Sequence, residues 1–93
     1  MMKRYKVEES SKFKREYRKM AKRGYDMTIV SDVVSMLVTG KPLPPKHDDH
    51  ALQGKWKGYR ECHITPDWLL IYKIEANVLI LTLQRLGTHS DLF

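Results

Sequence analysis

The pattern of polar and apolar positions at the amino-terminal end predicts a short strand and then an amphipathic helix. Residues 5–7 are the strand candidate. Either Ser10 or Ser11 offers an N-cap hydroxyl to the helix, and Gly24 is suited to end it. Lysines and arginines fill the polar faces, while the apolar positions recur at helical spacing: Phe13, Tyr17, Met20 and Ala21.

A second helix is predicted to begin near Asp26 or Thr28 and to end before Gly40 and Pro42. Many residues of its apolar face are β-branched and therefore weak helix formers, so burial must stabilise it. Two antiparallel helices joined near Gly24 form a hairpin that needs a further layer to pack on. The apolar positions of this helix are Met27, Val30, Val33, Val34, Leu37 and Val38.

Three strand-like stretches in the second half of the chain supply that layer, at residues 59–64, 68–74 and 78–85. The turns between them are so short that the strands must be antiparallel neighbours. The order of elements predicts an α+β fold, in which the amino-terminal strand and the helix hairpin pack on one face of an antiparallel sheet. The other face is then free to be open. A chain of 93 residues suffices for one domain, so residues 1–93 are expected to form a single unit.

The positive charge of the chain is concentrated at its amino-terminal end. Residues 1–23 hold ten lysines and arginines against three glutamates, so this segment carries +7 while the whole chain carries +6. Such an excess attracts polyanions, which include RNA, DNA, anionic lipid and acidic proteins. The simpler alternative is a solvated helix face that serves solubility alone.

The remaining composition points to a reducing compartment. Cys62 is the one cysteine, so neither an intrachain disulfide nor a thiol pair for a metal is available. The first residues have no apolar core of a signal peptide, and the apolar stretches are too short to span a bilayer. We therefore expect a cytoplasmic protein without membrane contact.

Residues 41–58, KPLPPKHDDHALQGKWKG, form a long segment whose prolines and glycines argue against a helix or a strand. Loops of this length in compact domains are usually functional or disordered. Leu52 and Trp56 offer apolar anchors, which favours an ordered loop.

The four histidines fall outside the predicted helices, with carboxylates close by in sequence. In an alternating strand, Glu61 and His63 share one face with Tyr59. Burial of such polar groups in a core is unfavourable unless they are paired. This face of the sheet is therefore expected to be the one open to solvent. Asp67 begins the next strand, and the hairpin brings it near His63. The histidines are His47, His50, His63 and His89.

A set of imidazoles and carboxylates suits RNA cleavage without a metal. One group removes the proton of the ribose 2′-hydroxyl, another protonates the departing 5′-oxygen, and a cation stabilises the charge on the phosphate. Histidine fits both proton-transfer roles. Arg60 is a candidate for the cation, but strict alternation points it away from His63, so a bend or the loop lysines Lys55 and Lys57 are the alternatives.

Other interpretations stay open at this point. The run His47-Asp48-Asp49-His50 contains metal-ligand types, although it lies in a loop and has no known catalytic zinc spacing. Aromatic residues could stack on bases, yet at these positions core packing is the more common role. From composition and spacing alone, the chain is a small basic α+β domain that suits nucleic acid. The aromatic residues in question are Trp56, Trp68 and Tyr72.

Three longer runs carry a family resemblance. DHALQGKWKGYRECH, then PDWLLIYK, and finally the ending RLGTHSDLF follow one another in matching order. They resemble the RelE/ParE superfamily of toxins, and most closely its YafQ branch. The resemblance covers about half of the chain by motif and all of it by architecture, because the first half agrees in its order of one strand and two helices.

The resemblance implies a toxin of a type II toxin–antitoxin pair. Such toxins are ribonucleases that cut messenger RNA, typically at the ribosomal A site, without a metal or other cofactor. The resemblance implies that the residues that transfer protons or orient the catalytic groups are His50, His63, Asp67 and His89. It also implies that Phe93 helps to hold the substrate base. Which histidine is the acid and which is the base stays open.

One position departs from the family pattern, since Glu61 stands where the YafQ pattern has Asp. The charge is kept but the reach grows by one methylene, which puts its detailed role in doubt. The family further implies an acidic, partly disordered antitoxin, the ribosome and mRNA as partners, and operator DNA only through the antitoxin complex. The alternative function is a non-catalytic basic module that binds nucleic acid or a partner.

Overall fold

The structure, a computed structural model, describes residues 4–93, so Lys3 of the basic segment lies outside the described residues. Two single turns of 3-10 helix interrupt the long loop, at Pro45–His47 and Gly54–Trp56. The regular elements are β1 (Lys6–Glu9), α1 (Ser11–Lys22), α2 (Met27–Val38), β2 (His50–Ala51), β3 (Arg60–Thr65), β4 (Trp68–Glu75), β5 (Ile80–Gly87) and α3 (His89–Leu92).

The five strands form one sheet in the order β1-β5-β4-β3-β2. Neighbours from β2 to β5 run antiparallel, as the short turns require. The α+β class is therefore confirmed. One detail differs, because β1 extends the sheet at its edge and runs parallel to β5, with Lys6 opposite Ile80. Parallel pairing needs a long connection, which the two helices and the meander provide.

Side-chain caps fix where the two long helices begin. Ser10, rather than Ser11, is the N-cap of α1, because its hydroxyl oxygen accepts from the backbone N–H of Phe13 at 2.9 Å. Asp26 caps α2 in the same way, accepting from the N–H of Thr28 at 3.0 Å. Both starts agree with one of the two alternatives in the sequence prediction.

The core lies between the helices and one face of the sheet, as predicted. Phe13 and Met20 of α1 and Val30, Val33 and Leu37 of α2 are each at most 3% exposed. The sheet side of the same cluster is formed by Cys62, Ile64, Trp68, Leu70, Tyr72, Leu81, Leu83 and Leu86.

The opposite face is less open than expected. Glu61 lies opposite Ile71 in the register, and His63 lies opposite Leu69. Leu69 and Ile71 are 0% exposed and Glu61 is 6% exposed. Strand β2 borders this face on one side and α3 on the other, so only its margins are accessible.

The start of the last strand was predicted two residues too early. Val78 and Leu79 belong to the turn before β5, where they are exposed, and Leu79 has a φ of 55°. A leucine seldom adopts this left-handed conformation, so the strand-like sequence gave no sign of it. Leu81 and Leu83, further along β5, are buried.

The long loop is ordered, in agreement with its apolar anchors, but the expectation that it contains no strand is wrong at β2. His50 and Ala51 pair with β3, and Leu52 and Trp56 are half-buried. None of the helices within residues 4–93 has the length and apolar character needed to cross a membrane.

Candidate active site

Three histidines from distant parts of the chain meet on the margin of the sheet face opposite the core. His63 lies in the middle, with its ring centroid 6.4 Å from that of His50 and 5.9 Å from that of His89. Strand β2 brings His50 to this place, β3 brings His63, and the first residue of α3 is His89. Of the four sequence candidates, His47 alone does not join them.

Glu61 lies between the first two imidazoles. Its Oε1 atom is 3.4 Å from Nε2 of His50 and 3.6 Å from Nε2 of His63. These are ion-pair distances when the imidazoles are protonated. The side chain is 8% exposed, and its charged neighbours among the described residues are these histidines and no lysine or arginine. The sequence prediction that Glu61 and His63 share a face is confirmed.

The orientation of His50 follows from a bond to the loop backbone. Its Nδ1 atom lies 2.6 Å from the carbonyl oxygen of Asp48. A carbonyl oxygen only accepts, so Nδ1 carries a proton and Nε2 faces Glu61. The nitrogen directed at the cluster is therefore the one available for proton exchange.

Asp67 contacts His89, through which it reaches the cluster. Nδ1 of His89 lies 2.8 Å from Oδ1 of Asp67, and the backbone N–H of His89 donates to the same oxygen at 3.4 Å. These two hydrogen bonds lower the pKa of the Asp67 carboxyl below its ordinary value. Asp67 is thus held as a carboxylate, which orients the ring of His89 and leaves Nε2 free.

His47 has a structural role. It is 5% exposed, and its Nδ1 donates to the backbone oxygen of His63 at 2.6 Å. This bond fastens the long loop to the strand that carries the central imidazole. Within residues 4–93 no group of three histidines, cysteines or carboxylates is placed to hold a metal ion, so the alternative built on His47, Asp48 and His50 is not assembled.

Arg60 lies on the core side of the sheet, as alternation indicated. Its Nε donates to Oδ1 of Asp49 at 3.3 Å, and the hydroxyl of Tyr72 donates to the same oxygen at 2.5 Å. Burial, followed by the bond to Asp49, raises the pKa of Tyr72. The sequence analysis did not identify Asp49 as the residue that binds Arg60 and Tyr72. Nothing in the run HDDH distinguishes the role of Asp49 from that of Asp48.

The remaining sequence candidates are exposed and separate from the imidazoles. Lys55 lies in the second 3-10 turn, Lys57 follows it, and Phe93 is 63% exposed at the end of α3. Within the part of the chain that the structure describes, none of the three has a side chain that bonds or pairs with an imidazole, although the backbone N–H of Phe93 donates to the carbonyl oxygen of His89 at 2.9 Å. Their positions leave them accessible to a large ligand.

Six lysines and arginines of α1 form a basic surface on the solvent side of the helix. All six are exposed and have no carboxylate within 4.0 Å among residues 4–93. Arg23, just after the helix, pairs with Asp91 at 3.2 Å. Glu16 binds Arg85 through two oxygens at 2.8–3.1 Å, an ion pair that no sequence pattern indicated. The basic surface consists of Lys12, Lys14, Arg15, Arg18, Lys19 and Lys22.

Comparison with known proteins agrees with this fold. A family model for bacterial toxins of type II toxin–antitoxin systems, YafQ, matches residues 5–93. The match extends over nearly the whole chain and defines the class of protein, a bacterial toxin of a type II toxin–antitoxin system. Within that class, the chain belongs to the YafQ family, as its sequence motifs indicated.

Individual relatives give the same answer. The mRNA interferase toxin YafQ of Escherichia coli K12 is 40% identical over 88 residues, which cover 94% of each chain. The E. coli DinJ–YafQ toxin–antitoxin complex contains a chain with a TM-score of 0.88 and 38% identity, covering 97% of this chain and 98% of that one. A metal-bound toxin from Helicobacter pylori has a TM-score of 0.88 and 43% identity over 100% of both chains. An mRNA interferase is an endoribonuclease, so the predicted enzyme class is confirmed at the level of the relatives.

Proposed function

We propose that this toxin is an endoribonuclease that cuts mRNA through attack of a ribose 2′-hydroxyl, with histidine and aspartate residues handling the protons. The observation that carries the proposal is the convergence of three imidazoles whose neighbouring centroids are 5.9 and 6.4 Å apart. Two neighbouring rings can then contact the attacking and the leaving oxygen of one phosphodiester. Histidine is the side chain best suited to both proton transfers at neutral pH.

The chemical steps balance without a further reactant. One imidazole takes the 2′-hydroxyl proton while O2′ forms a bond to phosphorus. The bond from phosphorus to O5′ breaks, and a second imidazolium protonates O5′. The products are a 2′,3′-cyclic phosphate and a 5′-hydroxyl end. Glu61 and Asp67 orient the rings, since each lies against an imidazole nitrogen.

Stabilisation of the phosphate charge falls to cations near the cluster. The third imidazole, when protonated, is one such cation. Lys55 and Lys57 lie apart from the imidazoles on the exposed loop and would have to reach the phosphate from there; they are the further candidates because Arg60 is engaged with Asp49. Phe93 is exposed at the end of α3 and suits stacking on a base.

The proposed substrate is mRNA in the ribosomal A site, in the cytoplasm. An exposed shallow cluster positions a flexible RNA poorly by itself, and a ribosome would hold the substrate in reach of the imidazoles. The basic surface on α1 supports binding to RNA phosphates on electrostatic grounds. Lys-to-Ala changes there are expected to weaken ribosome binding and to reduce its salt dependence, which a sedimentation assay at several salt concentrations measures.

The proposed partner in the cell is an acidic, partly disordered antitoxin. The E. coli relative was solved in complex with DinJ, and this chain carries a net charge of +6. Charge complementarity favours a partner of negative charge. Contact with operator DNA is proposed only through the toxin–antitoxin complex, in which the antitoxin would supply the DNA-binding part.

Cleavage by toxin that has been stripped of metal with EDTA and then desalted tests the chemistry, with Mg²⁺ kept in the assay because programmed ribosomes need it. Retained activity and products with 2′,3′-cyclic phosphate ends support a mechanism without a toxin-bound metal. Activity that is lost on stripping and returns when zinc or copper is added back to the toxin would overturn it, an outcome that matters because the H. pylori relative was solved with a bound metal. If the wild type binds ribosomes and leaves mRNA intact, the alternative function as a basic binding module takes its place.

A further inference from the structure

The carboxyl-terminal helix that begins with His89 is too short to hold its own conformation. Helix α3 has four residues, His89–Leu92, whereas isolated helices shorter than about 12 residues are marginal in water. The orientation of His89 therefore depends on contacts made by its neighbours. Two groups outside the histidine cluster supply such contacts, one from the residue just after α1 and one from β5.

The first contact is centred on a single carboxylate oxygen. Oδ2 of Asp91 accepts from the backbone N–H of Thr88 at 3.0 Å, from the Thr88 hydroxyl at 3.0 Å and from Nη1 of Arg23 at 3.2 Å. The Thr88 bonds form a capping box that starts α3 one residue before His89. The same bonds, with the contribution of Arg23, lower the pKa of Asp91.

The position of Arg23 is fixed because hydrogen bonds and an ion pair hold α1 against β5. Glu16 of α1 binds the guanidinium of Arg85, and its Oε1 also accepts from the backbone N–H of Leu86 at 3.1 Å. The end of α1 is thereby held beside the end of β5, where α3 begins. The ion pair from Arg23 to Asp91 spans this short gap.

The second contact is a close approach of α3 to the backbone of β5. A Cβ atom at Gly87 would lie 2.9 Å from Cβ of Asp91 and 3.3 Å from Cδ2 of Leu92. Real Cβ atoms do not tolerate the shorter distance, so any other residue at this position would push α3 away from the strand. Gly87 is thus required for α3 to lie where it does.

We propose that Arg23 and Asp91 are positioning residues, which hold α3 so that the imidazole of His89 meets Asp67 and stands beside His63. The inference rests on the proposed function in that it takes His89 as one of the groups that cut RNA. Neither residue touches the three imidazoles, and both act through the capping box and the helix. Gly87 provides the space for this arrangement from the opposite side.

Three variants loosen the arrangement from three different elements. Arg23→Ala removes the ion pair from the α1 side, Asp91→Ala removes the cap, and Gly87→Ala displaces α3 without removing a charge. Arg23→Lys keeps the charge and is the rescue variant. Arg18→Ala is the matched control, because it removes the same charge from α1 at a residue that makes no ion pair with Asp91.

The first readout needs no RNA. The carboxyl of Asp67 is titrated by carbon NMR in the free toxin, where we expect the wild-type pKa to lie below its ordinary value because His89 donates to it. In all three variants this pKa is expected to rise towards 3.8, and in Arg18→Ala and Arg23→Lys it is expected to stay low. The charge of Asp91 by itself raises the Asp67 pKa, so a rise in Asp91→Ala reports the loss of His89 and not the lost charge.

The second readout is the single-turnover cleavage rate at saturating ribosomes. We expect the maximal rate to fall by about 10–100-fold in the three variants, as for a misplaced reacting group. KM for Arg23→Ala and Arg18→Ala should rise equally, since both remove one charge from the basic side of α1, and Arg23→Lys should restore the rate. Thermal unfolding verifies that each variant is folded, and the exposed Arg23 keeps the test valid if Asp91→Ala does not fold.

Two results overturn the proposal. In the first, the Asp67 titration stays at its wild-type position in all three variants. In the second, the titration moves while the maximal rate does not. If the wild type itself leaves mRNA intact, the proposed function fails, whereas the titration still decides whether Arg23 and Asp91 hold His89 against Asp67.

Discussion

The two sides of the histidine cluster are built in different ways. On the buried side, Glu61 and His63 have side chains that are 8% and 19% exposed, and pairing within the sheet fixes them. On the exposed side, Asp67 and His89 are 75% and 53% exposed, and a turn and a four-residue helix carry them. Sheet pairing positions the first set through many shared bonds, while the second depends on a few individual contacts.

This contrast predicts how substitutions on each side should affect activity and stability. A change on the buried side alters both chemistry and stability, because its groups belong to the packed sheet. A change on the exposed side should alter chemistry with little effect on folding, because solvent replaces whatever contact is lost.

Replacing the imidazole common to both sides should have the largest effect on rate. His63 lies next to His50 and to His89, so His63→Ala removes the centre of the cluster. Loss of a general acid or base typically costs about 10²–10⁴ in rate. Single-turnover cleavage on ribosomes measures the effect. A loss smaller than threefold would mean that His63 transfers no proton.

The matched carboxylate-to-amide change on the buried side is Glu61→Gln. We expect a rate loss of about 10–100-fold, in line with a charge-assisted contact worth roughly 1.5–3 kcal/mol. We also expect the free energy of unfolding to rise by up to about 1 kcal/mol, because among residues 4–93 the cationic groups within 4.0 Å of this buried carboxylate are imidazoles, with no lysine or arginine. Urea unfolding measures the second effect, and a clear loss of stability would show that Glu61 stabilises the fold.

The corresponding change on the exposed side is Asp67→Asn. The rate should fall by about tenfold, since the amide binds the ring of His89 without a charge. The free energy of unfolding should stay close to that of the wild type, as for other exposed positions. A loss of stability as large as that of a core substitution would contradict the contrast between the two sides.

On the core side of the same sheet edge, Tyr72→Phe should destabilise without touching the cluster. The change removes the hydroxyl that donates to Asp49, while Arg60 still binds that carboxylate. A hydrogen bond of this kind contributes about 1 kcal/mol, which lowers Tm by roughly 4–8 °C in a domain of this size. Cleavage by the variant at a temperature well below its Tm should match the wild type; a rate loss above tenfold would show coupling across the sheet.

The smallest expected effect is a pH dependence of stability due to Asp67. Its pKa is lowered in the folded state by the bonds from His89, so its contribution is present above the ordinary value of 3.8. That contribution disappears as the pH falls through the lowered, folded-state pKa. The difference in unfolding free energy between wild type and Asp67→Asn should therefore shrink on acidification. A difference that grows as the pH falls would reverse the sign of this assignment.

Local patterns were sufficient to predict α1, α2 and the three-strand meander, but not β2 or α3. Helical spacing and cap residues located α1 and α2, and short turns dictated the antiparallel meander. The parallel addition of β1 and the positive φ of Leu79 were not predictable, because they depend on pairing and packing between distant segments. Alternation also placed Glu61 and His63 on one face and Arg60 on the other.

The site was only partly accessible from the sequence. The motifs indicated the three converging histidines, since those residues lie in the runs that resemble the family. The bond from His47 to the backbone of His63 and the ion pair of Glu16 with Arg85 were missed, because each joins residues far apart in the chain. Such contacts leave no periodicity or spacing in the sequence.

Growth and mRNA cleavage in cells that express histidine variants test most directly whether the converging histidines cut mRNA. The wild type, His63→Ala and His89→Ala are induced in a bacterial host, growth is followed, and mRNA 5′ ends are mapped. We expect growth arrest and new in-frame 5′ ends for the wild type. For the two variants we expect no arrest and no new ends, with all three proteins folded and soluble. Arrest with the same new ends in His63→Ala and His89→Ala would contradict this expectation.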